Sequence, residues 1–351
     1  MKRYITFIEA IREATSQSMS KDKSVILFGL GVDDPKSIFG STSGLKKKFG
    51  GKRVFDVPTS ENAMTGVGIG AAINGKKPIM VHQRLDFFLL AMDQVVNAAA
   101  KWYFMFGNQK SVPITIRLIM GRGWGQGPTH SQNLQAWFAH IPGLKVVMPA
   151  TAADAKGLLI SSINDPNPVI FMEHRWLHNL KGEVSREYKP IPIGKANIIK
   201  KGADITIVAM SFMVIEAIHA AEFLFKSNIN VEIIDLRTVA PIDYATIYKS
   251  VKKTKKVLIL DTGTLDGSIS GEILSKVVDE MWENLDIKPE RLAMPNFPEA
   301  TSFSLTKNYH INSEKIVNKV AEMLKIKVNI GNNFKKDHPH DVPGDWFKGP
   351  F

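Results

Sequence analysis

The sequence predicts an α/β protein of two domains, and three observations support this fold class. Short apolar runs such as "SVILFGL", "PIMV", "VPITIRLI" and "PVIFME" alternate with longer helical stretches, which is typical of a buried, mostly parallel sheet. A second set of runs, "ITIVAM", "VEIIDL" and "VLILD", begins near residue 190. The chain has 351 residues, of which 44% are hydrophobic, and this length favours two cores over one.

Composition excludes several classes of protein. The chain has no cysteine, which rules out disulfides and thiolate metal sites, and we expect an intracellular, cytoplasmic protein. No apolar run approaches the roughly 20 residues of a membrane span, and the first residues predict an amphipathic helix instead of a signal peptide. The net charge of +11 comes from scattered lysines, so we expect a basic surface or an acidic partner chain and no nucleic-acid binding.

The order of the segments predicts where the domains divide. Long helices are expected over residues 86–106, 151–164 and 213–226, each next to an apolar run. Residues 181–202 are charged and lack apolar periodicity, which predicts a linker. Beyond about residue 328 the chain is rich in Pro, Gly and His and reads as a tail. We therefore predict domains at 1–185 and 186–328, followed by an irregular tail at 329–351.

A single carboxylate, Glu61, stands between an apolar strand and a run of glycines and alanines. Gly66, Gly68 and Ala71 satisfy the dinucleotide pattern G-x-G-x-x-A, but "PTSENAMT" separates these glycines from the strand, and Ser60 with Glu61 predicts a helix start upstream of them. The glycines then lie inside a helix, where they favour close packing at a subunit interface over NAD binding. No P-loop pattern is present.

Four stretches together carry a family resemblance: "VFDVPTSENAMTGVGIGAAINGKKPIM", "FFLLAMDQVVNAAAK", "HSQNLQAWFAHIPGLKVVMPATAADAKGLLISSINDPNPVIF" and "VEIIDLRTVAPID". In these the chain resembles the β subunit of the thiamine-diphosphate-dependent 2-oxoacid dehydrogenases, the E1 component of the pyruvate, branched-chain and acetoin complexes. The resemblance runs from about Tyr4 to about Leu324. It implies a transketolase-like pyrimidine-binding domain with a parallel sheet flanked by helices, followed by a transketolase C-terminal α/β domain.

The resemblance also implies partners. In the family, an α subunit with a GDG signature followed by an Asn holds the diphosphate and its Mg²⁺. The Gly-Asp pair of this chain, Gly344-Asp345, lies in the tail and runs on to Trp346, so this chain is expected to supply half of an active site. The expected assembly is an α₂β₂ heterotetramer with β–β contact, and a lipoyl-bearing E2 acyltransferase is a further expected partner.

The family implies roles for three residues. Glu61 matches the glutamate that hydrogen-bonds the pyrimidine of thiamine diphosphate, so that the ring can take the proton of the thiazolium carbon. Phe87 matches the aromatic residue beside the pyrimidine, although Phe88 is adjacent. His130, after the loop "GRGWGQGP", matches the histidine that assists acyl transfer to lipoamide.

Further positions depart from the usual relatives or are weaker. "VHQRLD" replaces an apolar stretch, so His82 and Arg84 are expected near the substrate; Arg84 could bind an anionic group or pair with Asp86 or a partner carboxylate. The resemblance also implies a structural K⁺, held by the backbone carbonyls of Ile114, Ser162, Asp165 and Asn167.

Two other functions stay open at this point. A stand-alone transketolase-like transferase could pass a two-carbon unit to an aldehyde or sugar without E2, and "VHQRLD" and the divergent "NFPEATSFSLTKNYH" favour it. A non-catalytic regulatory subunit is the third hypothesis, which the presence of Glu61, Phe87 and His130 disfavours.

Overall fold

The computed structural model describes residues 3–34, 36–123, 125–328, 339–343 and 346–347. These residues form two compact units. The first contains the chain up to Gly121 and then Trp137–Ile193, and the second contains Arg122–Ala136 and the chain from Gly194 onward. A short piece of chain, 122–136, therefore belongs to the second unit although first-unit residues precede and follow it.

The first unit is built on a parallel sheet. An antiparallel pair of β1 (Tyr4–Thr6) and β8 (Lys181–Glu183) accompanies it. The remaining strands run in the order β6-β7-β5-β4-β2-β3, with every neighbouring pair parallel. Their bounds are β2 (Val25–Gly29), β3 (Val54–Asp56), β4 (Lys77–His82), β5 (Thr115–Met120), β6 (Lys145–Val147) and β7 (Val169–His174). Every residue of β5 and β7 is buried, which explains why both strands are mostly apolar in sequence.

The helices of the first unit follow the prediction in most places. They are α1 (Phe7–Lys21), α2 (Leu45–Phe49), α3 (Glu61–Ile73), α4 (Leu85–Phe88), α5 (Trp102–Met105), α6 (Gln135–Ala139) and α7 (Ala152–Asn164), with 3₁₀ turns at Leu89–Ala91 and Arg175–Leu177. Helix α6 begins in the second unit and ends in the first. The predicted amphipathic N-terminal helix begins with a capping box, in which the Glu9 amide donates to Thr6 Oγ1 (3.2 Å) and the Thr6 amide to Glu9 Oε2 (2.8 Å).

The expected long helix over residues 86–106 is broken. This stretch contains α4, a 3₁₀ turn, a π-helix at Gln94–Ala99 and α5. No glycine or proline lies in it, so the sequence carried no signal for the breaks. The prediction of one continuous helix was wrong because changes of hydrogen-bond spacing leave no trace in the apolar pattern.

The second unit has its own sheet in the order β14-β13-β10-β11-β9, with β9 antiparallel to β11 and the other neighbours parallel. The five strands of this sheet are β9 (Asn197–Lys200), β10 (Ile205–Ala209), β11 (Val231–Asp235), β13 (Val257–Thr264) and β14 (Glu290–Met294). The unit also contains the short strand β12 (Thr238–Ala240), which is not part of this sheet. Its helices are α8 (Met213–Phe225), α9 (Tyr244–Thr254), α10 (Ile269–Met281) and α11 (Ser313–Leu324), with 3₁₀ turns at Trp282–Asn284 and Phe303–Thr306. The predicted α/β fold is confirmed in both halves.

Two predicted segments differ in detail from the structure. The stretch 181–202, predicted as a linker, includes β8 and β9. Within the predicted tail at 329–351, only residues 339–343 and 346–347 are described, and the rest, including Gly344-Asp345, lies outside the described residues. Among the helices formed by the described residues, none has the length and apolar character needed to cross a bilayer.

Candidate functional site

The carboxyl edge of the first unit's sheet brings four of the predicted site residues together. In open parallel sheets, ligands bind beyond the carboxyl ends of the strands. Strand β3 ends at Asp56 and is followed by helix α3, which starts at Glu61, while β4 ends at His82 and leads through Arg84 into α4, which contains Phe87. The order β4-β2-β3 places these two strand ends on either side of one intervening strand.

Glu61 is the first residue of helix α3, and its side chain is 6% exposed. No hydrogen bond or ion pair to its carboxylate is formed by the described residues. A carboxylate at a helix N-terminus is favoured by the helix dipole, which compensates part of its desolvation. The buried carboxylate is thus available to a group from outside this chain.

The glycines of α3 bring this helix close to the sheet. A Cβ atom on Gly68 would lie 3.0 Å from Phe28 Cζ and 3.1 Å from Ile114 Cδ1. A Cβ atom on Gly66 would lie 3.0 Å from the side-chain oxygen of Gln94. Close packing is therefore the role of both glycines within this chain, and it fixes the position of the helix end that carries Glu61.

The aromatic pair after β4 is divided between surface and core. Phe87 is 41% exposed, whereas Phe88 is fully buried, with its ring centroid 4.6 Å from that of His82. His82 is also buried, and among the described residues neither of its ring nitrogens finds a hydrogen-bond partner. Burial lowers the pKa of His82 to about 4, so its imidazole is neutral at pH 7. Of the two phenylalanines, Phe87 is the one that is accessible from outside the chain.

Two arginines lie at this edge of the sheet. Arg84 directly precedes α4. Burial lowers its pKa below the ordinary value, and the nearby charge of Asp86 offsets only part of this decrease. Arg175 directly follows β7, and burial together with repulsion from Arg84 lowers its pKa to about 10. Its guanidinium lies 4.9 Å from the ring centroid of Phe39. Sequence reasoning missed Arg175, although a charged residue directly after the buried run "VIFMEH" was a usable signal.

A buried ionic group lies on β5 and β7. Arg117 Nε donates to Glu173 Oε1 (2.5 Å) and Arg117 Nη2 to Glu173 Oε2 (2.9 Å), and both side chains are fully buried. His178 Nε2 lies 3.9 Å from Glu173 Oε2. Burial, with the charges of Arg117 and Arg175, lowers the pKa of His178 to about 3, so this imidazole is neutral at pH 7 as well.

His130 lies in the second unit, in the segment 122–136. It is partly buried, and its Nδ1 lies 2.9 Å from Thr129 Oγ1. The residues after it line a cavity of about 380 Å³, together with residues 262–264 and 296–299. Ser131 and Asn133 both line this cavity, and each has a buried side-chain oxygen for which the described part of the chain offers no hydrogen-bond partner. Residues 131–134, which follow the loop "GRGWGQGP", therefore form part of the wall of this cavity.

The four predicted K⁺ positions lie near the ends of α7 and β5. The Ile114 carbonyl accepts a hydrogen bond from the Val169 amide (3.0 Å), and the Ser162 carbonyl accepts one from the Asp165 amide (3.2 Å). The Asp165 carboxylate accepts from the Asn167 amide (2.9 Å) and pairs with Lys145 Nζ (2.5 Å). A carbonyl oxygen has a second lone pair for a cation, so K⁺ stays a prediction. Within the described ranges, no group of three His, Asp or Glu side chains could hold a metal.

The comparisons with known proteins define the class first. The transketolase pyrimidine-binding domain family matches residues 3–180, and the transketolase C-terminal domain family matches residues 194–316. A solved structure described as a split-gene transketolase, inactive β₄ tetramer, superposes with a TM-score of 0.75 at 20% identity, covering 92% of this chain and 99% of that one. This likeness shows the fold: a transketolase-like pair of α/β domains.

Relatives at higher identity define the family. The pyruvate dehydrogenase E1 component subunit beta of Rickettsia bellii is 38% identical over 323 residues, covering 92% of this chain and 99% of the relative. The 2-oxoisovalerate dehydrogenase subunit beta of Bacillus subtilis is 38% identical over 321 residues, covering 91% and 98%. The chain belongs to the family of β subunits of the E1-type 2-oxoacid dehydrogenases. The resemblance stated from the sequence is thereby confirmed, and with it the class of oxidoreductases acting on 2-oxoacids.

Proposed function

We propose that this chain is the β half of an E1-type 2-oxoacid dehydrogenase. Together with an α subunit, it decarboxylates a 2-oxoacid on thiamine diphosphate and passes the acyl group to lipoamide. The observation that carries the proposal is Glu61, a buried carboxylate without a partner among the described residues, at the helix start where the family has its pyrimidine-binding glutamate.

The residues of the first unit fit one end of the cofactor. Glu61 offers a buried carboxylate to a ring nitrogen, and Phe87 offers an aromatic face. Thiamine diphosphate, when bound, would supply a nucleophilic carbon and a cationic ring that accepts the electron pair left by decarboxylation. In this scheme Glu61 holds and returns a proton at its carboxylate, and its burial strengthens that hydrogen bond by excluding water.

His130 is proposed as the proton donor in the acyl transfer to lipoamide. An imidazole ring can both donate and accept a proton, which suits it to a proton-transfer role. Here its Nδ1 is next to Thr129 Oγ1 (2.9 Å), a contact that restrains the ring. We propose that one lipoyl sulfur takes the acyl group as the S–S bond breaks, and that the His130 ring protonates the other, departing sulfur, while Glu61 serves the decarboxylation.

An α subunit is proposed to complete the site. A diphosphate needs a metal and backbone donors, and we propose that the partner's GDG…Asn motif supplies these and the Mg²⁺. The assembly would be α₂β₂ with β–β contact, and an E2 acyltransferase would carry the lipoyl group. K⁺ on the carbonyls near α7 and a cytoplasmic location are proposed with it.

The experiment is reconstitution with the α partner. The chain is co-expressed with an α subunit that carries GDG…Asn, and 2-oxoacid decarboxylation is followed with ferricyanide as acceptor. We expect turnover from the pair and none from this chain alone. Glu61→Ala should lower kcat by at least about 10²-fold, the low end for a positioned proton-transfer group.

The control is Glu187→Ala, which removes an exposed carboxylate of the same unit. It should leave kcat unchanged. Near-normal turnover in Glu61→Ala, with the pair fully assembled, would show that the role assigned to Glu61 is wrong.

A second candidate is a transferase that works without E2. The described tail residues favour it, because His340 contacts Phe303 within the divergent stretch "NFPEATSFSLTKNYH" that already pointed to this candidate. The two candidates differ in the acceptor. Acyl transfer to free lipoamide supports the first, whereas two-carbon transfer to an aldehyde with no reaction toward lipoamide supports the second.

A further inference from the structure

We propose that the C-terminal tail is a positioning element for the His130 segment: Asp341 of the tail holds Arg122, and Arg122 fixes the start of the segment that carries His130. The structural part concerns contacts within the second unit alone. The catalytic part rests on the proposed function, because it concerns the acyl-transfer role of His130.

Arg122 is the centre of this arrangement. Its guanidinium is buried and lies between two buried carboxylates, with Nη1 donating to Glu299 Oε1 (3.0 Å) and Nη2 to Asp341 Oδ2 (3.3 Å). Nη1 also donates to the Ala300 carbonyl (2.7 Å). Charged hydrogen bonds in a water-poor site are stronger than exposed ones, so these contacts fix the backbone at Arg122.

The tail is itself held at two further points. The His340 ring stacks on Phe303 with a centroid distance of 3.9 Å, and His340 Nε2 lies 2.6 Å from the Phe303 carbonyl oxygen. Trp346 Nε1 donates to Glu216 Oε1 (2.9 Å) on helix α8. Asp341 lies between these two anchors along the chain, which explains how an isolated stretch of tail can present a carboxylate at a fixed place.

The rest of the segment is fastened to the same unit. Gln135 Nε2 donates to Asp261 Oδ1 (2.6 Å) and to Thr262 Oγ1 (3.1 Å), which fixes its far end. Midway, Gly127 packs so closely on Thr301 that a Cβ atom there would lie 2.0 Å from Thr301 Oγ1. With both ends held, the position of His130 depends on the Arg122 anchor and therefore on the tail.

Asp341→Asn tests the contact between Asp341 and Arg122, because it removes the carboxylate charge and keeps a side chain of the same size. Arg122 keeps Glu299 and Ala300, so the variant should fold, and it loses one charged hydrogen bond, about 1.5 kcal/mol or tenfold in a local opening equilibrium. Hydrogen exchange of the full-length chain is measured by mass spectrometry on peptides that cover residues 122–135. These peptides contain two backbone hydrogen bonds of the segment. The His130 amide donates to the Gly127 carbonyl (3.1 Å), and the Gln126 amide donates to the Gly123 carbonyl (3.1 Å).

We expect about tenfold faster exchange in this segment for Asp341→Asn, and at least as much for a chain ending at residue 338. The matched control is Asp286→Asn, which makes the same chemical change at a half-exposed ion pair with Lys255 and Lys256 elsewhere in the unit. Unchanged exchange in both tail variants would overturn the proposal.

The catalytic part of the proposal is tested by measuring lipoamide acylation and decarboxylation with the reconstituted enzyme. Asp341→Asn should lower kcat for lipoamide acylation about tenfold, leaving the KM for the 2-oxoacid and the ferricyanide-linked decarboxylation at wild-type values. Faster exchange with wild-type acylation would overturn the positioning role. If the wild-type pair acts on no 2-oxoacid, the proposed function fails, and the exchange data still decide whether the tail holds the segment.

Discussion

His130 can be separated from Glu61 experimentally because the two residues are proposed for different half-reactions. His130→Ala should keep ferricyanide-linked decarboxylation within about threefold of wild type and lower acyl transfer to lipoamide by at least about 10²-fold, the range for loss of a proton donor. Both rates are measured on the same reconstituted preparation. An equal loss of both rates would contradict the assignment.

The two buried imidazoles, His82 and His178, make stability depend on pH. Burial keeps the folded-state pKa of His82 at about 4 and that of His178 at about 3, while the unfolded chain takes up protons near the ordinary value of about 6.5. The unfolded state therefore binds more protons as the pH falls below about 6.5. Stability should decrease from there toward pH 4 by up to about 1.4 kcal/mol per pH unit for each imidazole.

Urea unfolding at pH 7 and pH 5 checks this expectation. The double variant His82→Gln, His178→Gln is less stable at pH 7, and the difference between its two pH values should be smaller than for wild type. A wild-type chain that is equally stable at both pH values would contradict the buried, neutral state of these rings.

At the residue scale, what the sequence revealed depended on the kind of signal. Glu61 was found because a carboxylate before a glycine run is unusual, and its burial agrees with the expectation. Arg175 and Asp341 were missed because their roles arise from neighbours distant in the chain, Phe39 in one case and Arg122 in the other. Phe87 was chosen over the adjacent Phe88 through the resemblance alone; the structure leaves Phe87 exposed and buries Phe88, and the role of Phe87 stays a prediction.

Helix α3 is positioned by its glycines, and two of them give a matched pair of substitutions. Gly68→Ala should destabilise the chain by about 1–3 kcal/mol, because the new methyl group would press on Phe28 and Ile114 at 3.0 and 3.1 Å. Thermal unfolding measures the effect. Turnover of the reconstituted enzyme should also fall, since the displaced helix carries Glu61.

Gly70→Ala is the control on the same helix. A Cβ atom there meets nothing within 4 Å, so the substitution should stabilise the helix by about 0.5–1 kcal/mol. Equal effects at the two glycines would show that helix propensity, and not contact with the sheet, sets their importance.

At the level of elements, strands were the most predictable feature. "PVIFME" and "VEIIDL" gave β7 and β11 because buried parallel strands read as apolar runs. The breaks after Phe88 and around Gln94 could not be predicted from a stretch without glycine or proline. The place of residues 122–136 in the second unit was also unpredictable, since it depends on Arg122 and Gln135 finding distant acceptors.

For the whole molecule, exposed aromatic side chains indicate assembly. Phe104 is 85% exposed and is followed by Met105 and Phe106, which are also exposed. Large apolar side chains that cluster at a surface are typical of protein interfaces. We expect Phe104→Ser to weaken assembly with the α partner at least about tenfold, because aromatic anchors contribute more than about 1.4 kcal/mol.

Analytical ultracentrifugation of the co-expressed pair measures the strength of assembly between the two subunits. Trp282→Ser, which removes a 67% exposed aromatic residue of the second unit, is the comparison and should leave assembly unchanged. Assembly that survives Phe104→Ser would place the interface elsewhere on the first unit.

The interleaving of residues 122–136 with the second unit limits how this protein can be recombined with its relatives. A chimera joined at a single crossover near residue 190 would import a foreign second unit while keeping the native Arg122 and Gln135, whose acceptors would then be exchanged for unrelated side chains. To exchange the whole second unit, three junctions are needed, and two of them flank residues 122–136. Module swapping in this family is therefore an exchange of two separate pieces of chain, and libraries built on one breakpoint should yield mostly inactive hybrids.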